Sequence, residues 1–137
     1  MKLAIYNLLI LLLIPVFALR IFFKSLTDSD YKKHFANRLG YNFSHLKQKN
    51  SKIIWFHAVS LGEVIGSQLL INSLAEKFDM VITTSTPSGL RRAKEIFPKE
   101  IVINYAPWDF VLFINRFLNF YKPDAIVIFE TEIWPSM

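Results

Sequence analysis

The sequence contains no cysteine. This absence excludes disulfide bonds, thiolate zinc sites and cysteine nucleophiles. Histidine is scarce as well, because the chain has only His34, His45 and His57, and no two of them show the spacing of a metal-ligand pair. We therefore expect no metal site in this protein.

Glycine is also rare, with only four in the chain. A dinucleotide-binding domain needs G-x-G-x-x-G after its first strand, whereas the first strand-to-helix turn here offers only Gly62 and Gly66. The acid expected after the second strand is missing, since Thr83-Thr84-Ser85 stands there, and no Walker loop is present. We therefore expect a protein without a nucleotide or other cofactor.

Acidic residues are nearly absent from the first 50 positions, which carry eight Lys/Arg against two Asp. Residues 51–137 carry eight basic residues against nine acidic ones. The net charge of +5 therefore belongs to the N-terminal segment and not to the rest of the chain. A basic surface for nucleic acid is not supported, so we expect no nucleic-acid partner.

Apolar residues dominate the N-terminal segment. The 17 residues from Leu3 to Leu19 carry no charge, and a membrane-spanning helix needs roughly 17–25 such residues. Five basic residues follow this run and only Lys2 precedes it, so the positive-inside rule keeps the C-terminal side in the cytoplasm. We expect a single membrane anchor over residues 1–25 with a cytoplasmic body. A cleaved signal peptide and a buried core helix are the competing interpretations.

Residues 26–51 are predicted to form a short basic helix and a linker. Tyr31, Phe35 and Leu39 are spaced as one face of an amphipathic helix over residues 31–39, and Gly40 suits its end. That helix either lies on anionic lipid or packs its aromatic side on the body. The polar residues 41–51 predict the linker.

From residue 52 onward the pattern alternates between strands and helices, which predicts an α/β fold with a Rossmann-like parallel sheet. The last turn has the form of a strand-to-helix turn without a following helix, so we expect residues 52–137 to be the first half of a larger fold. The predicted strands cover residues 52–58, 79–84, 101–105 and 125–129, and the predicted helices cover residues 63–78, 88–97 and 109–121.

Polar side chains follow three of the four predicted strands. In an open α/β sheet, ligands gather at the carboxyl ends of the strands. We therefore expect these turns to meet at one crevice, where a carboxylate acts as general base on a hydroxyl about 2.6–3.2 Å away. The candidate site positions are Ser60, Gly62 and Glu63 in the first turn, Thr84, Ser85, Thr86 and Ser88 in the second, and Glu130 and Glu132 in the last.

Each turn also has a purely structural interpretation. Glu63 can be a first-turn acid that complements the helix dipole, and the acids of the last turn can mark a helix start. The Ser/Thr turn either N-caps a helix or binds an anion, and in the second case Arg91 and Arg92 could assist. His57, alone at a strand end, is more typical of a hydrogen-bonded structural residue than of a catalytic one.

The motifs of this sequence resemble those of the 3-deoxy-D-manno-octulosonic acid (Kdo) transferase family. The resemblance covers the whole chain, because the N-terminal anchor also fits. The segments that carry it, in order, are Arg38-Leu39-Gly40, Phe56-His57-Ala58-Val59-Ser60-Leu61-Gly62-Glu63-Val64, Thr83-Thr84-Ser85-Thr86-Pro87-Ser88-Gly89, Tyr105-Ala106-Pro107-Trp108-Asp109 and Glu130-Thr131-Glu132-Ile133-Trp134-Pro135.

This resemblance implies the N-terminal, acceptor-binding half of an inverting GT-B glycosyltransferase at the cytoplasmic face of the inner membrane. It implies Kdo transfer from CMP-Kdo to the lipid A precursor, with Glu63 as general base and Glu130 as a functional acid. The CMP-Kdo site belongs to the family's C-terminal domain, which we expect on a separate chain if it exists. The alternatives are a membrane-anchored remnant or binding module without turnover, and a soluble regulatory α/β domain.

Overall fold

The computed structural model describes residues 2–47, 52–130 and 133–136. Its strands are β1 (Ile53–His57), β2 (Asp79–Thr84), β3 (Val102–Tyr105) and β4 (Ala125–Ile128). They form one sheet in the order β3-β2-β1-β4, and every neighbouring pair is parallel. The predicted α/β fold with a parallel sheet is confirmed, and the predicted strands agree with the observed ones to within one residue at each end.

Helices precede the sheet and connect its strands. In chain order they are α1 (Lys2–Thr27), α2 (Phe35–Arg38), α3 (Leu61–Gly66), α4 (Gln68–Ala75), α5 (Pro87–Ile96) and α6 (Val111–Tyr121), with a 3-10 turn at Ser29–Tyr31 between α1 and α2.

The sheet has a hydrophobic core on each face, as a parallel sheet requires. Alternation along β1 sends Phe56 to the face covered by α3, α4 and α5, and Trp55 to the face covered by α6. Trp55 packs on Phe117 of α6 with ring centroids 4.2 Å apart. β4, at the edge of the sheet, is more exposed than the fully buried β1 and β2.

The strand order creates a switch point beside β1. The chain moves outward from β1 to β2 and β3, then returns through α6 to place β4 on the other side of β1. Such a reversal of strand order opens a crevice at the carboxyl ends of the strands, between β1 and β4. The fold therefore locates the candidate site at the turns after β1 and β4.

The predicted helix over residues 63–78 is wrong as one element, because it is divided into α3 and α4 at Ser67. The hydroxyl of Ser67 is buried and donates to the carbonyl oxygen of Val64 at 3.2 Å. Serine side chains that bond to nearby backbone compete with regular helix geometry. After the break, α4 buries Ile71 in the core that also contains Phe56.

The predicted amphipathic helix over residues 31–39 is also wrong. His34 adopts a left-handed conformation (φ 57°), so only the one-turn helix α2 forms after it. Long-range contacts explain this departure, since Arg91 forms ion pairs with Asp28 and Asp30 that hold the preceding turn. Gly40 (φ +78°) ends the segment as predicted.

The predicted linker over residues 41–51 is packed where the structure describes it, while residues 48–51 lie outside the described residues. Phe43 is buried and contacts Phe117 with ring centroids 5.1 Å apart. The hydroxyl of Tyr121 donates to the carbonyl oxygen of Ser44 at 2.6 Å. This part of the chain therefore covers α6 instead of moving freely.

Within the described residues, α1 is the one helix long and apolar enough to cross a membrane. One side of α1 contacts the body: the Tyr6 hydroxyl donates to Asp109 Oδ2 at 2.6 Å, and Phe17 packs on Trp108 at 5.8 Å between ring centroids. The opposite side is exposed and entirely apolar. Its residues are Ile5, Leu8, Leu9, Leu12, Val16, Leu19, Phe23 and Leu26.

Candidate functional site

Backbone hydrogen bonds join the turns after β1, β2 and β4. The amide of Phe129 donates to the carbonyl oxygen of His57 at 2.9 Å, and the amide of Ser85 donates to that of Val59 at 3.0 Å. The side chain of Thr84 adds a second bond to the Val59 carbonyl at 2.9 Å. The structure therefore brings the three polar turns to one edge of the sheet, with the turn after β1 in the middle.

Glu63 lies in the first turn of α3 and its carboxylate folds back onto the chain before it. Oε2 accepts from the amide of Val59 at 2.8 Å, and Oε1 accepts from the hydroxyl of Ser60 at 2.9 Å. Ser60 in turn N-caps α3 by accepting from the amide of Glu63 at 3.4 Å. This reciprocal arrangement is a variant of the capping box. Glu63 is nevertheless partly exposed, so its carboxylate is both fixed in place and accessible.

Glu130 follows β4 by two residues and is exposed. It has a positive φ of 74°, which is uncommon for a residue other than glycine. Ile128 is the register partner of His57, and Glu130 and Val59 each lie two residues further along the chain. The turn that contains Glu130 therefore starts at the same edge of the sheet as the turn that contains Val59. Trp134 belongs to the same turn and packs edge-on against the ring of His57, at 4.7 Å between centroids. Glu132 lies outside the described residues.

The Ser/Thr turn after β2 is mostly occupied by local hydrogen bonds. Thr86 N-caps α5 by accepting from the amide of Gly89 at 3.1 Å, and the hydroxyl of Ser88 donates to Thr86 Oγ1 at 3.4 Å. Thr84 is buried and bonded to the turn after β1. Ser85 and Thr86 both line a cavity between this turn and α1. Of the four predicted residues of this turn, these two therefore have the most direct access to a ligand.

Arg38 is the functional candidate that sequence patterns missed. It is 4% exposed, it donates from Nη2 to the carbonyl oxygen of Ser85 at 3.0 Å, and it stacks on the Tyr105 ring at 4.1 Å. Its only sequence signal was its place in Arg38-Leu39-Gly40. Arg91 and Arg92, which the sequence offered only as assistants to an anion-binding turn, pair with the acids of residues 28–30 and with Glu95, respectively.

His57 is fully buried at the end of β1. Burial lowers the pKa of its ring to about 4, against an opposing effect of the Glu63 carboxylate and of Thr83. The Trp55 indole donates to Thr83 Oγ1 at 2.7 Å, and that same oxygen lies 2.8 Å from His57 Nδ1. The ring is therefore neutral at pH 7, in keeping with a structural role.

Acids and histidines do not cluster into a metal site in the described part of the chain, where no group of three such side chains is suitably placed. The site offers instead carboxylates at the turns after β1 and β4, hydroxyls at the turn after β2, and a buried guanidinium beside that last turn. Such a set can take a proton from a substrate hydroxyl and bind an anionic group.

Gly89 allows α5 to approach the turns after β1 and β2. A methyl group there would overlap Thr84 Oγ1 and lie 3.3 Å from the carbonyl carbon of Ser60. We expect Gly89→Ala to lower the free energy of unfolding by about 1–3 kcal/mol, measured by urea unfolding of the chain in mild detergent. Gly62→Ala is the matched control, because its nearest neighbour would be 3.9 Å away. The control should be neutral or stabilising by up to ~1 kcal/mol, and equal losses in both variants would contradict this packing argument.

Comparison with known proteins gives one consistent result. A family model described as 3-deoxy-D-manno-octulosonic-acid transferase (kdotransferase) matches residues 33–137. The chain is similar to the 3-deoxy-D-manno-octulosonic acid transferase of Haemophilus influenzae, with 31% identity over 96% of this chain and 31% of the relative. A probable mitochondrial enzyme of that name from Arabidopsis thaliana is 34% identical over 90% of this chain and 28% of the relative.

The same name is carried by a relative from Rickettsia bellii, which is 29% identical over 96% of this chain and 32% of the relative. The chain thus spans about a third of the length of the curated relatives it matches. No solved structure matches it.

Proposed function

Because the chain belongs to the 3-deoxy-D-manno-octulosonic-acid (Kdo) transferase family, we propose that it supplies the acceptor-binding half of a Kdo transferase. The proposed reaction moves Kdo from CMP-Kdo to the lipid A precursor in lipopolysaccharide core biosynthesis. Residues 52–137 form the acceptor-binding domain in this proposal. The CMP-Kdo site then belongs to a C-terminal domain, on the same polypeptide or on a separate one.

The observation that carries this proposal is the position of Glu63 at the switch point of the sheet. Two local hydrogen bonds fix its carboxylate, one to each oxygen. An ionised carboxylate offers about four lone-pair sites, so it can still accept a hydrogen bond from an acceptor hydroxyl. A fixed and partly exposed carboxylate is what a general base needs.

In the proposed step, the acceptor hydroxyl gives its proton to Glu63 while its oxygen forms a bond to the anomeric carbon of Kdo. The bond from that carbon to the phosphate of CMP breaks on the opposite face, and CMP leaves with the electron pair. The configuration at the anomeric carbon is thereby inverted. We assign Glu130 as a supporting acid at the neighbouring turn, and we keep Glu132 as a candidate on sequence grounds alone.

The substrate-binding residues of the proposal lie on the two adjoining turns. Ser60 and Gly62 flank the carboxylate, and Ser85 and Thr86 face the cavity beside α1. Thr84 and Ser88 act indirectly, because their hydroxyls bond to the backbone of Val59 and to Thr86. The acceptor is thus held between the catalytic turn and the membrane helix.

We also propose that α1 anchors the chain to the inner membrane at its cytoplasmic face. Support comes from the exposed apolar side of α1 and from the basic residues that follow its uncharged run Leu3–Leu19, beginning with Arg20 and Lys24. Contacts of Tyr6 and Phe17 with the body are about 16 Å apart along the helix. The body is therefore held beside the anchor, where a lipid acceptor is available.

A membrane-anchored binding module without turnover is the second candidate. The observation that favours it is that both oxygens of Glu63 take part in capping α3, a role that needs no catalysis. This candidate predicts acceptor binding without transfer.

The experiment that separates the two candidates is a chimera in which these 137 residues replace the matching part of the Haemophilus influenzae relative. We expect membranes containing the chimera to transfer Kdo from CMP-Kdo to a lipid A precursor. The unaltered relative is the positive control. The same assay is made with the 137-residue chain alone and with that chain plus a separate C-terminal half. A chimera that folds and binds the acceptor but does not transfer Kdo would favour the binding module.

A further inference from the structure

A cavity of about 220 Å³ lies between α1, the 3-10 turn and the Ser/Thr turn after β2. It has room for roughly seven water molecules, and thus for a phosphate group with part of the molecule that carries it. Three cationic side chains line it, and among the described residues no acidic side chain does. The lining residues are Phe17, Arg20, Ile21, Lys24, Tyr31, Arg38, Ser85, Thr86 and Trp108.

Arg38 carries a buried positive charge without a matching negative one. Its Nε atom is buried and has no hydrogen-bond partner, and no described carboxylate forms an ion pair with its guanidinium. Its two contacts, to the Ser85 carbonyl and the Tyr105 ring, are both uncharged groups at neutral pH. A buried charge without a counter-charge is strongly destabilising, so this site is built to receive an anion.

The other walls of the cavity favour the same kind of ligand. Thr86 is the N-cap of the ten-residue helix α5, whose N-terminal end is the positive end of its dipole. Arg20 and Lys24 are four residues apart on α1, so they lie on the same side of that helix. Three cations and a helix N-terminus suit a doubly charged phosphomonoester better than a singly charged phosphodiester.

The position of the cavity indicates where its ligand comes from. The same turns of α1 that carry Arg20 and Lys24 also present exposed Leu19 and Phe23 on the apolar side of the helix. A ligand in the cavity therefore lies beside the surface that we propose contacts lipid. We propose that this cavity binds the phosphomonoester of a membrane lipid, an inference that rests on the proposed function and identifies the part of the acceptor that is held.

Thermal unfolding of the full chain in neutral detergent micelles tests this site without any transfer reaction. Micelles are doped with phosphatidic acid, a phosphomonoester lipid, or with phosphatidylglycerol, a phosphodiester lipid, and inorganic phosphate is titrated separately. A ligand that binds only the folded chain raises the midpoint temperature in a saturable way. We expect this rise with phosphatidic acid, and a much smaller one with phosphatidylglycerol or inorganic phosphate.

The variant Arg20→Gln/Lys24→Gln should weaken the apparent affinity for phosphatidic acid by about tenfold more than it weakens the affinity for phosphatidylglycerol. Arg20 and Lys24 are both exposed on α1, so the fold should survive their replacement. Arg38→Lys is a second variant and a more severe one for the fold, because Arg38 is buried. Lys32→Gln is the matched control, because Lys32 is a nearby exposed cation that does not line this cavity. As a surface charge, it should affect both anionic lipids alike, by roughly fivefold.

Equal responses to phosphatidic acid and phosphatidylglycerol, or an equal loss in the Lys32→Gln control, would overturn the site in favour of nonspecific attraction to anionic lipid. Saturation by inorganic phosphate at the same affinity would overturn the lipid origin of the ligand. Specific binding of phosphatidic acid in a chain whose chimera transfers no Kdo would keep the cavity and overturn the glycosyltransferase proposal. Kdo transfer by the chimera that is unaffected by Arg20→Gln/Lys24→Gln would keep the glycosyltransferase proposal and overturn the role of the cavity.

Discussion

Replacing Glu63 with glutamine is expected to lower the rate of Kdo transfer by the chimera by about 10²–10⁴-fold, the usual contribution of general acid-base catalysis. Glutamine has the same shape and can still accept from the amide of Val59, so the turn after β1 should keep its geometry. It cannot take the proton of the acceptor hydroxyl. The loss should therefore appear in kcat at saturating acceptor, with little change in the affinity for the acceptor.

Glutamine is a sharper substitution than alanine, because Glu63→Ala would also remove a capping contact worth about 0.5–2 kcal/mol. Glu76→Gln is the matched control, since it makes the same change of charge at an exposed position after α4. The unfolding of each variant should be measured beside its activity. If Glu63→Gln keeps most of its transfer rate, Glu63 is a cap and the base must be sought elsewhere.

The strands were predictable because a parallel strand buried on both faces needs a continuous apolar run. In β1 (Ile53–His57), every residue except His57 is apolar. The first turn was predictable for a local reason too, since Ser60 followed three residues later by Glu63 is the signature of a capping box. In both cases the sequence positions that carry the signal are neighbours along the chain. Local pattern therefore sufficed for the sheet and for the position of Glu63.

What local pattern missed depends on contacts between residues far apart in sequence. Arg38 meets Ser85 across 47 positions, and Arg91 meets Asp28 across 63. Such contacts divide residues 28–38 into a 3-10 turn and a one-turn helix, although Tyr31, Phe35 and Leu39 have the spacing of one continuous helix. Periodicity reports which side of a segment is apolar, but not whether another part of the chain will bend it.

The N-terminal helix also shows that local sequence pattern does not predict long-range contacts. Hydropathy identified α1, yet part of its contact with the body is made by two polar residues inside the apolar run. Tyr6 bonds to Asp109, and the side chain of Asn7 accepts from the amide of Val111 at 2.9 Å. Hydropathy averages over such residues, so the cavity between α1 and the body, with its three cations, was not foreseeable from composition.

Acidification should destabilise the fold through His57. Burial holds the pKa of this ring near 4, whereas an unfolded histidine has a pKa of about 6.5. Between these two values the unfolded chain binds the proton and the folded chain does not, so the free energy of unfolding falls as the pH falls. The difference amounts to about 3 kcal/mol lost between pH 7 and pH 4. Urea unfolding of the chain in neutral detergent across this range measures it.

His57→Gln should remove most of that pH dependence, because an amide stays neutral throughout while keeping a polar group near Thr83. His34→Gln is the control: burial, Lys94 and Lys33 lower the pKa of His34 as well, but the residue is exposed and should contribute less. Parallel loss of stability in the wild type and His57→Gln would assign the acid sensitivity to other groups. A flattened profile in His57→Gln alone would identify the neutral ring at the end of β1 as a structural support of the turn that carries Glu63.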